Sequence, residues 1–417
     1  MIKFKKENNI IYLQIFNIKI TFTLSLGKFI YKSLRPIIYI LDYIVPKNKN
    51  KIIFNSFPDY GDNARAYYLF LKNNSNYKLI WLVDNLNKDL DIEYSYKFNS
   101  IIGLYHFITS KYIVTTHNTS FSCLISNDRH VILNLWHGMP IKTIGFNEPN
   151  LDKELLKCYK NYGKYAHFFV SSDIFKQLML STFEGKYFNS HITGQPRTDL
   201  IWDKSNSKKI EELFHFSKYK KVIFYMPTYK ENVVVRNTQV DTEYQNIFYM
   251  NDYNESEFIK YLEENDILFI MKPHPFDEPF YEKHMDTIPR SENFKFVKNE
   301  FFLNNEINHY EIFKYIDLMI SDFSSVVIDY MILNKPVIFL NNLTNEYTSN
   351  RGMILSDNFN ILMPGIKVDN FKSLKLEIEE NLKNDKYKEL RNRHLPLLHK
   401  HCDNKACERV FKIMRGL

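Results

Sequence analysis

Between residues 51 and 172 the chain alternates short, nearly unbroken apolar runs with helical stretches. KIIFNSF (51–57), KLIWLVD (78–84), YIVTT (112–116), VILNLW (131–136) and AHFFVSS (166–172) are short and rich in β-branched and aromatic residues. They read as buried strands. A second series follows a polar, Lys-rich stretch at 208–221: VIFYM (222–226), ILFIM (267–271), FKFV (294–297), LMIS (318–321) and PVIFL (336–340). Apolar strands separated by helices predict parallel sheets covered on both faces. The expected organisation is an α/β domain over 51–205, a second over 206–385, and a C-terminal helix over 386–417 that crosses back to the first domain.

Residues 1–50 do not follow this pattern. The start, MIKFKKENNIIYLQIF, lacks a small-residue cleavage site, so no secretory signal is expected. The span 20–46 is aromatic and aliphatic but interrupted by Lys28, Lys32, Arg35 and Asp42, which argues against a spanning helix. Charge sharpens the contrast. Of the 55 Lys/Arg and 48 Asp/Glu, nine basic and two acidic residues lie in 1–50, leaving 46 of each in the rest. The whole formal excess of +7 therefore sits in one segment. This predicts a basic, amphipathic, membrane-peripheral segment, with a helix lying on an anionic leaflet. A helix packed on the protein's own body is the plainer alternative. A balanced body does not suit nucleic acid, whose binders spread cations over a docking face. Cys123, Cys158, Cys402 and Cys407 show no metal spacing and are expected as free thiols. No metal or cofactor is called for, and with 11 Gly and neither GxGxxG nor GxxxxGK[ST], the usual phosphate cradles are missing.

Doubly wound domains bind ligands beyond the carboxyl ends of their strands, and five polar segments fall there. Trp136-His137-Gly138-Met139-Pro140 follows VILNL, and its His can accept a hydroxyl proton; a His satisfying a backbone carbonyl is the ordinary alternative. Gly194-Gln195-Pro196-Arg197 sets an Arg fork where it can meet phosphate. Pro227-Thr228 closes the strand at 222–226 and offers backbone and hydroxyl groups to a base or ribose. Lys272-Pro273-His274-Pro275 pins one His between prolines beside a point charge. Ser324 or Ser325 starts a helix after LMIS and offers free amides to a phosphate, with Asp329 about one turn on. Each is also compatible with an ordinary turn or cap. Together they make a kit of anion donors plus His and Asp.

At these residues the sequence resembles the CDP-glycerol glycerophosphotransferase family, which includes primases and polymerases of wall teichoic acid, with related modules in capsule polymerases. The resemblance covers roughly residues 50–385 and rests on WHGMPIKTIG, GQPRTD, MPTYK, KPHP and SDFSSVVIDYMILNKPVIF, in that order. It implies a GT-B-like pair of Rossmann-like domains facing across a cleft. It also implies transfer of glycerol phosphate or ribitol phosphate from a CDP-alditol to a membrane-linked acceptor, with release of CMP. The family's two essential histidines match His137 and His274. Its CDP-glycerol contacts match His137, Gly138, Met139, Pro140, Ile141, Arg197, Pro227, Thr228, Lys272, His274, Ser324 and Asp329. The family more often has Arg at the position of Lys272 and Tyr at that of Phe323; Lys keeps the charge but loses the fork.

The expectation is thus a transferase at the cytoplasmic face of the membrane, with His137 as base assisted by Asp329 or another carboxylate. Its partners would be CDP-glycerol or CDP-ribitol, a lipid-linked or polymeric acceptor and an anionic leaflet. His274, Lys272 and Arg197 would balance phosphate charge, and Ser324 and Ser325 would hold the pyrophosphate. The rivals are a GT-B glycosyltransferase using a nucleotide sugar and a non-catalytic scaffold of a polymer-synthesis complex. Glycerol against ribitol, and the oligomeric state, stay open in the sequence.

Overall fold

The computed structural model describes residues 2–7, 10–15, 18–23, 36–84, 92–117, 128–148, 153–228, 246–322, 324–341 and 362–417. Phe323 and Cys123 lie outside them. Strands β1 (Ile2–Glu7), β2 (Ile10–Ile15) and β3 (Ile18–Thr23) form a separate antiparallel sheet in that order. Of the span 20–46 expected as one helix, residues 20–23 close β3, 24–35 are outside the described residues, and 36–44 are helical.

Two parallel sheets make up the body. The first contains β4 (Asn48–Asn55), β5 (Lys78–Val83), β6 (Ser95–Lys97), β7 (Ser110–Thr115), β8 (Val131–Asn134), β9 (Ala166–Val170) and β10 (Ser190–Ile192), ordered β10-β9-β8-β7-β4-β5-β6. The second contains β11 (Lys221–Met226), β12 (Ile267–Met271), β13 (Phe294–Phe296), β14 (Leu318–Ser321), β15 (Val337–Leu340) and β16 (Ile366–Val368), ordered β13-β12-β11-β14-β15-β16. In each sheet the chain winds outward one way from its first strand and then the other way from that strand's far side. The crevices where the winding reverses lie between β4 and β7 and between β11 and β14. The apolar runs explain the burial: β5, β8, β12, β14 and β15 are buried along almost their whole length, because helices cover both faces.

The C-terminal helix Ala406–Gly416 packs its Cys407, Val410 and Met414 into the core of the first sheet, against Ile52, Phe54 and Leu133. Asp199 caps it by accepting from the Ala406 and Cys407 amides at 2.9 and 2.8 Å. The free-thiol expectation needs one correction. Cys402 and Cys407 are free, but Cys158 is disulfide-bonded, a pairing that spacing along the chain cannot reveal. No helix among the described residues is long and apolar enough to cross a membrane.

Candidate active site

The first crevice is built by a segment outside the five polar segments described above. After β4 the chain reads FPDYGDNARA, and the helix Asp62–Asn74 begins at once. Tyr60, Asp62 and, after β8, Trp136 hold positive φ of 52, 57 and 49°. Non-glycine residues adopt that conformation at a cost, so the surrounding packing must hold them there. Asn63 is the fastening point. Wholly buried, it donates from Nδ2 to the Trp136 carbonyl (2.8 Å) and Gln195 Oε1 (2.6 Å), and its Oδ1 accepts the Arg197 amide (3.0 Å). One side chain thereby aligns the WHG and GQPR segments. The signal was present in the sequence as an Asp, an Asn and an Arg just past the first predicted strand.

His137 stacks on Trp136 with ring centroids 4.4 Å apart, and its Nδ1 lies 2.7 Å from the Thr116 carbonyl. A carbonyl only accepts, so Nδ1 carries the hydrogen and a neutral ring leaves Nε2 bare. The backbone-carbonyl role open to this residue in the sequence is thus filled, and it does not occupy Nε2. His137 keeps exposed surface although protein surrounds it. Burial lowers its pKa, opposed by the Asp62 carboxylate and the Thr116 bond. Nε2 makes no hydrogen bond among the described residues.

His274, in the loop after β12, is the complementary tautomer. The Phe276 amide donates to its Nδ1 at 3.2 Å, so the hydrogen of the neutral ring sits on Nε2. Burial, then Lys272, Lys142 and His137, push its pKa down to about 3. Across the cleft Phe57 stacks on Phe276 at 5.0 Å, joining the first and second domains beside the histidines.

Arg197 and Asp329 meet, but not as expected. Asp329 Oδ2 accepts from Arg197 Nε (3.0 Å) and Nη2 (2.6 Å) and from the Tyr310 hydroxyl (2.7 Å), while Asp62 accepts from Arg197 Nη1 at 2.8 Å. Burial works against the guanidinium's charge, and the two carboxylates more than restore it, raising its pKa. Asp329 makes no hydrogen bond to His137 among the described residues, so its place is on the Arg fork rather than behind His137. Asp62 is the carboxylate that bears on His137. Gly138, at φ +118°, lies against this pair: a Cβ there would come within 2.6 Å of Arg197 Nη2 and 2.7 Å of Ser325 Oγ. Only glycine admits that approach.

The remaining expected residues divide. Met139 and Ile141 belong to the first domain's hydrophobic core, and Pro140 is buried, so this stretch can offer only backbone to a ligand. Thr228 gives its amide and hydroxyl to Asp322, at 2.8 and 2.9 Å, fastening the end of β11 to that of β14 across the second crevice. Pro227 is buried beside it. Ser324 and Ser325 are half-buried ahead of the helix Val326–Tyr330, whose five residues make only a short turn and a weak dipole. Lys272 is 3 % exposed, and its amine makes no hydrogen bond or ion pair among the described residues. Burial, only partly offset by Glu278, lowers its pKa to about 8. A buried ammonium without a counter-ion is costly unless an anion arrives. Among the described residues no group of three or more His, Cys, Asp or Glu could hold a metal ion.

The fold is that of a wall teichoic acid polymerase. The solved structure of that polymerase, TagF, superposes with a TM-score of 0.70 at 18% identity, over 94% of this chain and 96% of that one. In sequence, the teichoic acid poly(glycerol phosphate) polymerase of Bacillus spizizenii is 28% identical over 335 residues, which are 74% of this chain and 79% of that protein. The teichoic acid poly(ribitol-phosphate) polymerase of the same organism is 26% identical over 324 residues, but these are only 48% of its length. Residues 37–415 match the family described as CDP-glycerol:poly(glycerophosphate) glycerophosphotransferase, a span that contains both histidines, Lys272 and the Arg197–Asp329 pair. The chain is a transferase and belongs to that glycerophosphotransferase family.

Proposed function

We propose that the protein transfers an alditol phosphate, glycerol phosphate or ribitol phosphate, from a CDP-alditol to a hydroxyl of a membrane-linked acceptor. The observation that carries this reading is the opposed pair of histidine tautomers beside a buried lysine whose amine has no hydrogen bond or ion pair among the described residues. The acceptor oxygen attacks the β-phosphorus, His137 Nε2 takes its proton, and the bond from phosphorus to the bridging oxygen breaks. CMP leaves as a phosphate ester that is largely dianionic at neutral pH, so no acid is needed for its departure. His274 donates from Nε2 to a phosphoryl oxygen, and Lys272 supplies the charge. The backbone of Gly138–Ile141, the hydroxyls of Ser324 and Ser325, and Arg197 with Asp329 border the phosphates and the alditol. Pro227 and Thr228 border the cytidine.

The surface reading places the chain on the cytoplasmic leaflet. It is supported by the basic excess in 1–50 and by outward apolar residues on the helix at 36–44, Ile40 and Ile44, and on the helix Ile101–Thr109, Ile101 and Ile102. The test is one assay. CMP release and product mass are followed with CDP-glycerol, CDP-ribitol and UDP-sugars, with a lipid acceptor in vesicles with or without anionic lipid. Release from a CDP-alditol, faster on anionic vesicles, is expected. Turnover of a UDP-sugar alone would replace the donor assignment, and indifference to the lipid would remove the surface assignment.

A pH dependence follows. Lys272 is protonated below about pH 8 in the free enzyme and loses its charge above it. The kcat/KM for the CDP-alditol should therefore fall as pH rises through about 8. In kcat the same limb should move to higher pH, because a bound diphosphate favours the ammonium. A kcat/KM flat to pH 10 would show that this charge does not contribute to donor capture.

A further inference from the structure

Arg65 is not used by the mechanism above, yet it is 6 % exposed and its Nε is buried with no hydrogen-bond partner among the described residues. It leaves the helix Asp62–Asn74 of the first domain, lies over the Tyr60 ring at 5.1 Å, and donates from Nη1 to the Ile307 carbonyl of the second domain at 3.1 Å. Two residues further on, the His309 ring is tilted against Tyr310 with centroids 4.7 Å apart, and Arg197 lies 5.2 Å from the same Tyr310 ring. Lys272, Arg197 and Arg65 all act on His309 and, after burial, hold its pKa well below the usual imidazole range.

The nearby carboxylates are already committed. Asp62 and Asp329 hold Arg197, Glu311 accepts from Asn206 and the Asn308 amide, and Glu278 accepts the Asn299 amide. Arg65 and Lys272 are thus two buried cations with no carboxylate at ion-pair distance among the described residues; Glu311 and Glu278 act on them only from farther away. One diphosphate donor accounts for Lys272. The second cation stands on the first domain, on the helix that begins at Asp62, the carboxylate that bears on His137.

We propose that Arg65 and His309, beside Lys272, form a second anion subsite that takes a phosphate of the acceptor next to its attacking hydroxyl. The inference rests on the alditol-phosphate reading and makes it more specific. It assigns the enzyme a preference for acceptors that already end in a phosphate ester over neutral alcohols of the same length.

Two synthetic acceptors that differ only in the cap test it: an alkyl chain ending in glycerol phosphate and the same chain ending in neutral glycerol. With CDP-glycerol as donor, wild type should favour the phosphate-bearing acceptor in kcat/KM. Arg65→Gln should reduce that preference about 10- to 100-fold, the loss expected for a hydrogen bond to a charged group, and Arg65→Lys should restore part of it. A preference unchanged within about twofold, or an equal loss for both acceptors, overturns the subsite. If Arg65→Gln does not fold, His309→Gln, at a half-buried position, gives the same reading. Calorimetry with glycerol phosphate, with the donor site filled by CMP, separates the two possible sources of the anion. Binding that persists under CMP and is lost in Arg65→Gln supports the acceptor subsite, and binding abolished by CMP assigns the cluster to the donor instead. Absence of any CMP release by wild type would refute the proposed reaction, while this binding measurement would still decide the subsite.

Discussion

His137→Ala should fold like wild type and lose about 10²- to 10⁴-fold in kcat, the range expected for removing a positioned general base. The ring's only hydrogen bond among the described residues is Nδ1–H to the Thr116 carbonyl. His137 is exposed, so water can replace that bond and the structural cost is small. The chemical cost is not small, because the bond to Thr116 leaves Nε2 as the nitrogen with the free lone pair, and alanine offers none. Steady-state CMP release, with a thermal melt as the folding control, checks the result. A variant within about tenfold of wild type would show that His137 is not the base. His274→Ala separates the two roles. If His274 is a donor to the phosphoryl group, its loss should lower kcat but leave any low-pH limb assigned to His137 in place.

The second large effect is on stability. Arg197→Leu should destabilise the protein by about 3–5 kcal/mol, because removing one partner leaves an uncompensated buried charge. Here it leaves two, Asp62 and Asp329, one in each domain. Leu keeps much of the stem's packing, so the loss reports on charge rather than volume. The defect should shrink in Arg197→Leu/Asp329→Asn, which removes one stranded charge. Denaturant midpoints for the three proteins measure this. Equal midpoints for Arg197→Leu and wild type would mean that the three-way contact is solvated and contributes little.

The body was legible because its evidence is local. Apolar runs such as ILFIM and LMIS can only be buried strands at that length, and once two parallel sheets are granted, the rule that ligands gather past strand ends points at His137, Lys272 and His274. What stayed hidden depends on pairs far apart in the chain. Nothing local ties Arg197 to Asp329, 132 positions away, or Thr228 to Asp322. An arginine poised for phosphate and an arginine clamped between carboxylates look the same in a sequence. Met139 and Ile141 match ligand contacts through the family resemblance; their side chains fill the core, as apolar residues after a buried strand commonly do, which leaves their backbone for a ligand. The Asp62-Asn63-Arg65 segment was overlooked for a different reason. A Gly-Asp-Asn turn is ordinary helix-start chemistry, and only the reach of Asn63 to Trp136, Gln195 and Arg197 gives it another meaning.

The helix Ala406–Gly416 also sets an order of events. The strands of the second sheet all lie between Lys221 and Val368, so that sheet is available to fold while the chain is still being made. The first sheet emerges earlier but is finished later, since Cys407, Val410 and Met414 close its core and Asp199 waits for the amides of Ala406 and Cys407. The domain that carries His137 is synthesised before the second domain and completed after it. The part of its apolar face that Cys407, Val410 and Met414 cover stays open in between, an interval in which exposed strands are prone to mispairing.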